Sequence, residues 1–193
     1  MRRAPGITKS MLRPIRCLRG YAWLLLALVV FYYSLDWGWA NADDCYFSLL
    51  AERCLHGAVP HRDFFYTFPG LNLYLIAFFQ GLCGVSLLSS RYALVLVFLL
   101  TLFLARWTIR RTGGEGGQGI LVLMILCQSA LFVLFPTWFC LPFWWLLLGW
   151  YGKGDGPHSR GGLLAAGLLL GAVFLFKQTT GILLAVSLVQ WHL

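Results

Sequence analysis

Long apolar runs recur along almost the whole chain and constrain its fold more than any other feature. The chain has 193 residues, of which 60% are hydrophobic and only 11% are charged, so it carries too little polar surface to cover a soluble core. Runs of this length are typical of membrane helices. The sequence therefore predicts an all-α, polytopic transmembrane helix bundle that forms a single domain over residues 1–193. The apolar segments are 20–37, 69–84, 90–109, 119–135, 138–152, 162–176 and 179–193.

The segment 69–84 is shorter than a typical span and contains the polar residues Asn72 and Gln80. Since Lys and Arg are concentrated in cytoplasmic loops, their distribution indicates whether this segment crosses the membrane. If 69–84 lies along the outer surface, eleven of the 15 Lys and Arg residues fall inside and four outside; if it crosses, the division is eight against seven. We therefore expect six spans, a cytoplasmic N-terminus and a multi-pass protein of the cell membrane. Its first outer loop would cover residues 37–89.

The outer loop holds most of the acidic residues and is predicted to form interfacial helices. Within 43–56, apolar side chains recur at helical spacing, and the opposite face carries Asp44, Ser48 and Glu52. Gly57 and Pro60 are typical of a helix end. We expect this helix to lie with its apolar side on the membrane. That side comprises Phe47, Leu50, Ala51, Cys54 and Leu55.

The net charge of +8 does not indicate a nucleic-acid partner, because the basic residues fall between apolar runs and follow the predicted topology. The six cysteines lack the spacing of metal ligands, and we interpret them mainly as packing residues. The stretch 40–42 resembles a signal-peptidase site. Since the preceding apolar run is long for a signal peptide and further spans follow, we expect the first helix to be retained as an anchor.

Two polar groups at the predicted outer surface could carry chemistry. Asp43 and Asp44 begin the first interfacial helix, where carboxylates often cap a helix. A carboxylate there could also take a proton from an acceptor hydroxyl or amine, or hold a divalent metal beside a phosphate. Lys177 lies between two apolar segments with no acid nearby in sequence, so it either extends to the interface or binds an anionic ligand such as a lipid phosphate. Arg62 and Asp63 either pair in a surface turn or face a ligand.

Several of these stretches resemble the first outer loop of membrane-embedded GT-C glycosyltransferases, most closely the family 39 and aminoarabinose-transferase-like group. The order of the elements is preserved over about residues 20–190, and the resemblance covers only the N-terminal portion of such enzymes, which run to several hundred residues. The matching stretches are Asp43-Asp44-Cys45-Tyr46-Phe47, Ala51-Glu52-Arg53, Gly57-Ala58-Val59-Pro60-His61-Arg62-Asp63-Phe64-Phe65, and the glycine-containing run from Gly167 to Lys177 and Gln178.

The resemblance implies transfer of a sugar from a polyprenyl-phosphate donor to a lipid, glycan or protein acceptor at the outer face, with inversion at the anomeric carbon. It implies that Asp43 is the catalytic base or lies beside the acceptor, with Asp44 at the position that family members usually fill with glutamate. Lys177 would hold the phosphate of the carrier. The other residues that we assign to substrate binding are Arg62, Asp63, Tyr66 and Gln178.

The chain also departs from the family pattern, and two other function classes stay open. Thr67 and Phe68 precede Pro69 where relatives carry an acid and a base. We therefore assign no cofactor and keep a divalent metal only as an alternative. A transporter component would use polar side chains within spans, although such groups more often make interhelical hydrogen bonds. A truncated, non-catalytic membrane scaffold is the third class. The polar candidates within spans are Thr101, Gln128, Ser129 and Ser187.

Overall fold

The computed structural model describes residues 7–36, 42–113, 117–152 and 160–192. These residues form eight α-helices, and no β-strand occurs among them. The predicted all-α class is therefore confirmed. The helices are α1 (Ile7–Asp36), α2 (Ala42–Leu55), α3 (Leu71–Cys83), α4 (Leu87–Arg111), α5 (Gln118–Ala130), α6 (Pro136–Tyr151), α7 (Arg160–Phe176) and α8 (Gln178–His192).

Among the described residues, α4 is the one helix that is both long enough and apolar enough to cross a membrane. Half of its most apolar stretch is buried within the protein. The segment Tyr21–Asp36 of α1 and the helices α3, α5, α7 and α8 are apolar but shorter. A multi-pass arrangement stays a prediction.

Two contacts between α1 and α4, one near each end of α4, define two ends of the helix assembly. Arg91, in the first turns of α4, donates a hydrogen bond to the carbonyl oxygen of Leu35 near the end of α1. Near the other end of α4, the guanidinium of Arg106 lies over the ring of Trp23. The two helices are therefore antiparallel. We call the end with Leu35 and Arg91 the loop end, and the end with Trp23 and Arg106 the basic end.

The helices α2 and α3 form a unit at the loop end. The Gln80 side-chain amide donates hydrogen bonds to the carbonyl oxygen of Ser48 and to the hydroxyl of Ser90, each at 3.0 Å. At the start of α3, Asn72 is bonded to Tyr66. Both ends of α3 therefore lie near the loop end, and α3 does not run the length of the assembly. Whether segment 69–84 crosses a membrane stays a prediction.

The pair α4 and α6 packs closely toward the basic end. Gly149 of α6 lies so near Trp107 and Thr108 that a β-carbon there would come within 2.6 Å of the Thr108 hydroxyl oxygen. The Thr108 hydroxyl donates a hydrogen bond of 2.7 Å to the carbonyl oxygen of Trp145. A glycine at this point allows the two backbones to approach, as small residues do between membrane helices.

Two features differ from the sequence-based expectations, and a third lies partly outside the described residues. The helix predicted from residue 20 already begins at Ile7. The apolar segment 119–135 is not helical throughout, because α5 ends at Ala130 and the backbone N–H of Leu134 instead donates to a carboxylate of α2. The proposed cleavage stretch 40–42 falls partly outside the described residues, since they resume at Ala42.

Candidate functional site

A buried ion pair joins four segments at the loop end. Asp44 is only 1% exposed, and its Oδ2 accepts hydrogen bonds from Arg91 Nη2 at 3.0 Å and Nε at 3.3 Å. Its Oδ1 accepts from the backbone N–H of Leu134 at 2.7 Å. Arg91 Nη1 in turn donates to the Leu35 carbonyl oxygen at 2.6 Å. The pair therefore fixes the end of α1, the start of α2, the start of α4 and the turn before α6.

The position of Asp44 corrects one expectation and weakens another. The helical pattern placed Asp44 on the exposed face of the first interfacial helix, and this was wrong because a distant arginine holds the carboxylate inside. Both carboxylate oxygens are occupied by protein donors. We interpret Asp44 as a structural residue, so of the two proposed catalytic carboxylates Asp43 is the better candidate.

Asp43, by contrast, is exposed at the beginning of α2. It lies four residues before Phe47, so both residues project from the same side of the helix. The Phe47 ring is 6.4 Å from the ring of Phe135, between centroids. An accessible carboxylate therefore stands one helical turn from an aromatic surface at the loop end.

Four aromatic residues form that surface, which we call the aromatic cluster: Phe47, Tyr66, Phe68 and Phe135. Their rings meet edge to face at centroid distances between 5.7 and 6.4 Å. This geometry brings the positive ring edge of one residue against the negative face of another. The cluster thus joins α2, the 56–70 loop and the turn before α6.

Tyr66 was expected to bind substrate, and the structure places its hydroxyl inside the cluster. The side chain is 2% exposed, and the hydroxyl exchanges hydrogen bonds of 2.7 and 3.0 Å with the Asn72 amide. Burial raises the pKa of Tyr66 above its ordinary value, although the Asn72 bond opposes this shift. Tyr66 is therefore a buried packing residue of the loop end, and its hydroxyl is bonded within the protein.

Lys177 occupies the junction between α7 and α8 and lies against the aromatic cluster. Its Nζ is 4.8 Å from the ring centroid of Phe135 and 5.9 Å from that of Phe68, within the range of cation–π contacts. Nζ also donates a hydrogen bond of 2.8 Å to the hydroxyl of Thr137 at the start of α6. No carboxylate of the described residues lies within ion-pair distance of this half-buried ammonium group.

Lys177 contacts the 56–70 loop at Phe68, whereas the convergence of Asp43, Asp63 and Lys177 at one outer cavity, which the glycosyltransferase hypothesis requires, stays a prediction. Phe68, which precedes Pro69 in the loop, lies beneath the ammonium group. Gln178 follows directly as the exposed first residue of α8. Asp43 reaches the same end through Phe47 and Phe135. A carboxylate and a cation without an acidic partner are therefore present on one side of the molecule.

Arg62 and Asp63 pair with each other in an exposed turn. Arg62 Nε and Nη2 donate to the two oxygens of Asp63 at 2.9 and 2.7 Å, and the Val59 N–H donates to Asp63 Oδ2 at 2.7 Å. These bonds lower the pKa of Asp63 from 3.8 to about 2, with the Arg62 hydrogen bond as the largest cause. Of the two alternatives for this pair, the structure has the surface turn. His61 of the same turn has a positive φ of 68°.

Several contributors at the loop end were missed in the sequence. Arg91 was counted only for topology, although an arginine within an apolar run indicates a buried acidic partner. The ring of Phe135 and the hydroxyl of Thr137, which hold Lys177, give no local signal because they lie about 40 residues earlier in the chain. Within the described ranges, no group of three His, Cys, Asp or Glu side chains is placed to hold a metal ion.

No family model, curated protein or solved structure matches this chain. The resemblance to GT-C glycosyltransferases therefore depends on the residues quoted above and on their order.

Proposed function

We propose that the chain is part or all of a multi-pass membrane glycosyltransferase that transfers a sugar from a polyprenyl-phosphate donor to a lipid, glycan or protein acceptor. The observation that carries the proposal is the position of Lys177. Its ammonium group rests on Phe68 and Phe135 without a carboxylate partner among the described residues, at the end that also bears the exposed Asp43. A phosphate would supply the missing negative charge.

The proposed reaction uses the two groups on opposite sides of the transferred sugar. Asp43 takes the proton from the acceptor hydroxyl or amine, and the freed electron pair forms a bond to the anomeric carbon. The bond between that carbon and the phosphate oxygen breaks with inversion. The carrier leaves as polyprenyl phosphate, and Lys177 stabilises the charge that develops on its oxygen.

Purified full-length chain, incubated with radiolabelled polyprenyl-phosphate sugars and membrane acceptors, tests this assignment. We expect Asp43→Asn to lower the transfer rate by about 10²- to 10⁴-fold, the usual contribution of a general base. Glu52→Gln on the same helix is the matched control and should retain the rate. Equal activity of wild type and Asp43→Asn would remove Asp43 from the reaction.

Lys177 has a separate test in donor affinity. We expect Lys177→Gln to weaken binding of the lipid-phosphate donor by roughly tenfold to a hundredfold, because a charge-assisted contact is lost. Lys177→Arg should restore part of the affinity, and Arg53→Gln, at an exposed position of α2, should have no effect. A donor affinity that is indifferent to the charge at position 177 would contradict the phosphate role.

Labelling with a membrane-impermeant maleimide tests the topology independently. In single-cysteine chains, we expect Cys45, exposed on α2 beside Asp43, to react from outside intact cells. The variant Arg160→Cys, at the start of α7, should react only after the membrane is permeabilised. Reaction of both positions from the same side would end the proposed orientation of the site.

The transporter alternative receives support from one residue, Gln128. Among the polar groups within predicted spans, Thr101, Ser129 and Ser187 each donate to a carbonyl of their own helix. Gln128 of α5 is 2% exposed, and neither polar atom of its amide has a hydrogen-bond partner among the described residues. Solute flux into liposomes that is lost in Gln128→Leu, with no lipid-linked sugar present, would favour transport over transfer.

A further inference from the structure

An apolar groove of about 510 Å³ lies between α1 and α4 toward the basic end. The α4 wall is a single stripe at helical spacing, in which Leu96, Leu100 and Phe103 are exposed. Tyr21 and Leu24 of α1 form part of the opposite wall. The groove therefore presents hydrocarbon side chains outward on the helix that satisfies the length and hydropathy criteria for a membrane span.

Two arginines line the same groove beyond its leucines. Arg106 is half-buried, with its guanidinium carbon 5.7 Å from the ring centroid of Trp23, and Arg110 follows one turn later at an exposed position. No carboxylate in the described part of the chain lies within ion-pair distance of either guanidinium. Glu115, the acidic residue nearest in sequence, falls outside that part. The two arginines give the groove a positive charge, which favours an anionic ligand.

A third arginine, on the adjoining face of α4, adds to the positive charge at this end. The guanidinium carbon of Arg111 lies 5.3 Å from the ring centroid of Trp107, which is itself part of the groove wall. Its Nε is buried and has no hydrogen-bond partner among the residues described. At the basic end, the guanidinium groups of Arg106 and Arg111 therefore lie over indole rings, which carry no formal charge.

The dimensions of the groove match one leaflet of a bilayer. Leu96 and Arg106 are ten residues apart on a continuous helix, which corresponds to about 15 Å along its axis. The hydrocarbon core of a bilayer is roughly 30 Å thick, so this distance is about half of it. A lipid whose headgroup lies beside Arg106 would therefore place its acyl chain along the leucine stripe as far as the middle of the bilayer.

We propose that the groove binds an anionic glycerophospholipid of the leaflet at the basic end. Its phosphate lies between Arg106 and Arg110, and one acyl chain packs along Leu96, Leu100 and Phe103. Basic pockets between membrane helices on the cytoplasmic side commonly bind anionic headgroups. The proposal requires α4 to be a membrane helix but does not depend on sugar transfer at the loop end.

Lipid binding to the purified, delipidated full-length chain can be measured by native mass spectrometry, with phosphatidylglycerol and phosphatidylcholine as separate ligands. We expect the chain to bind phosphatidylglycerol more tightly. In the double variant Arg106→Gln/Arg110→Gln, the affinity for phosphatidylglycerol should fall roughly 30-fold, because each arginine near a membrane surface contributes about fivefold. The affinity for phosphatidylcholine should change little.

Two further variants separate a built site from general charge attraction. Arg53→Gln/Arg160→Gln removes the same net charge outside the groove and should retain the preference for phosphatidylglycerol. Leu100→Trp keeps every charge but fills the groove, and should weaken binding of both lipids. Equal losses in the two double variants, or unchanged binding in Leu100→Trp, would overturn the proposal. Circular dichroism of each variant confirms its helical content, and a misfolded double variant leaves Leu100→Trp to decide.

Discussion

The two ends of the helix assembly use charge in opposite ways. At the loop end, Arg91 is buried and held by Asp44 and a carbonyl oxygen, so the protein supplies its own counter-charge. At the basic end, the guanidiniums of Arg106 and Arg111 rest on indole rings, without carboxylate partners among the described residues. A cation that is paired with a carboxylate of the protein holds the structure together, whereas a cation without such a partner remains available to an external anion. Lys177 at the loop end also lacks a carboxylate partner among the described residues, and in our proposal it binds the donor phosphate.

The largest expected effect comes from breaking the internal pairing at the loop end. Asp44→Asn keeps the shape of the side chain but leaves the buried guanidinium of Arg91 without its counter-charge. We expect the free energy of unfolding, measured by denaturant titration in detergent, to fall by about 3–5 kcal/mol. Asp43→Asn makes the same chemical change at the neighbouring exposed position and should cost at most about 1 kcal/mol. Similar losses in both variants would contradict the distinction between a structural Asp44 and a free Asp43.

An intermediate effect is expected from the close packing of α4 and α6 near the basic end. Gly149→Ala would drive a methyl group against Trp107 and Thr108 where α4 meets α6. We expect this overpacking to lower the free energy of unfolding by about 1–3 kcal/mol. Gly167→Ala on α7 is the matched control, since a β-carbon there meets open space, and it should not destabilise the chain. If Gly149→Ala were harmless, close packing would not be what holds this end.

The smallest effect belongs to the exposed pair at the loop end. The pKa of Asp63 lies at about 2, below its ordinary 3.8, so its contribution to stability is complete above pH 3.8 and is lost as the pH falls through about 2. Arg62→Gln should raise the pKa of Asp63 toward 3.8, although the Val59 bond remains. Carboxyl NMR titration measures this shift, and Arg53→Gln should leave it unchanged. Little loss of global stability is expected, because exposed pairs contribute little.

The sequence predicted the helices well because apolar runs and their breakers are local signals. The interfacial helix expected at 43–56 appears as Ala42–Leu55, and the short segment 69–84 folds as Leu71–Cys83 beside it. The helix end at Ala130 was missed, since the residues after it bond to a carboxylate from α2. No periodicity within 119–135 encodes that distant partner.

The candidate site was predictable only in part, because its contacts join segments that are distant in sequence. Lys177 could be singled out in the sequence because it is an isolated lysine between apolar segments, where an ammonium group is costly without a partner. The rings beneath it come from two distant segments, and only tertiary packing brings them together. Asp44 was misplaced because a helical pattern treats every carboxylate as facing water. Its partner is 47 residues away in sequence.

The hydrogen bond from Leu134 to Asp44 also bears on how the chain is assembled during its synthesis. The ribosome makes Asp44 and Arg91 well before residue 134, so a nascent chain can form the ion pair while Asp44 Oδ1 still lacks its backbone donor. Asp44 gains this donor only after Leu134 has been synthesised. Until then, an intermediate in which the first four helices have formed would leave one oxygen of the Asp44 carboxylate without its protein donor.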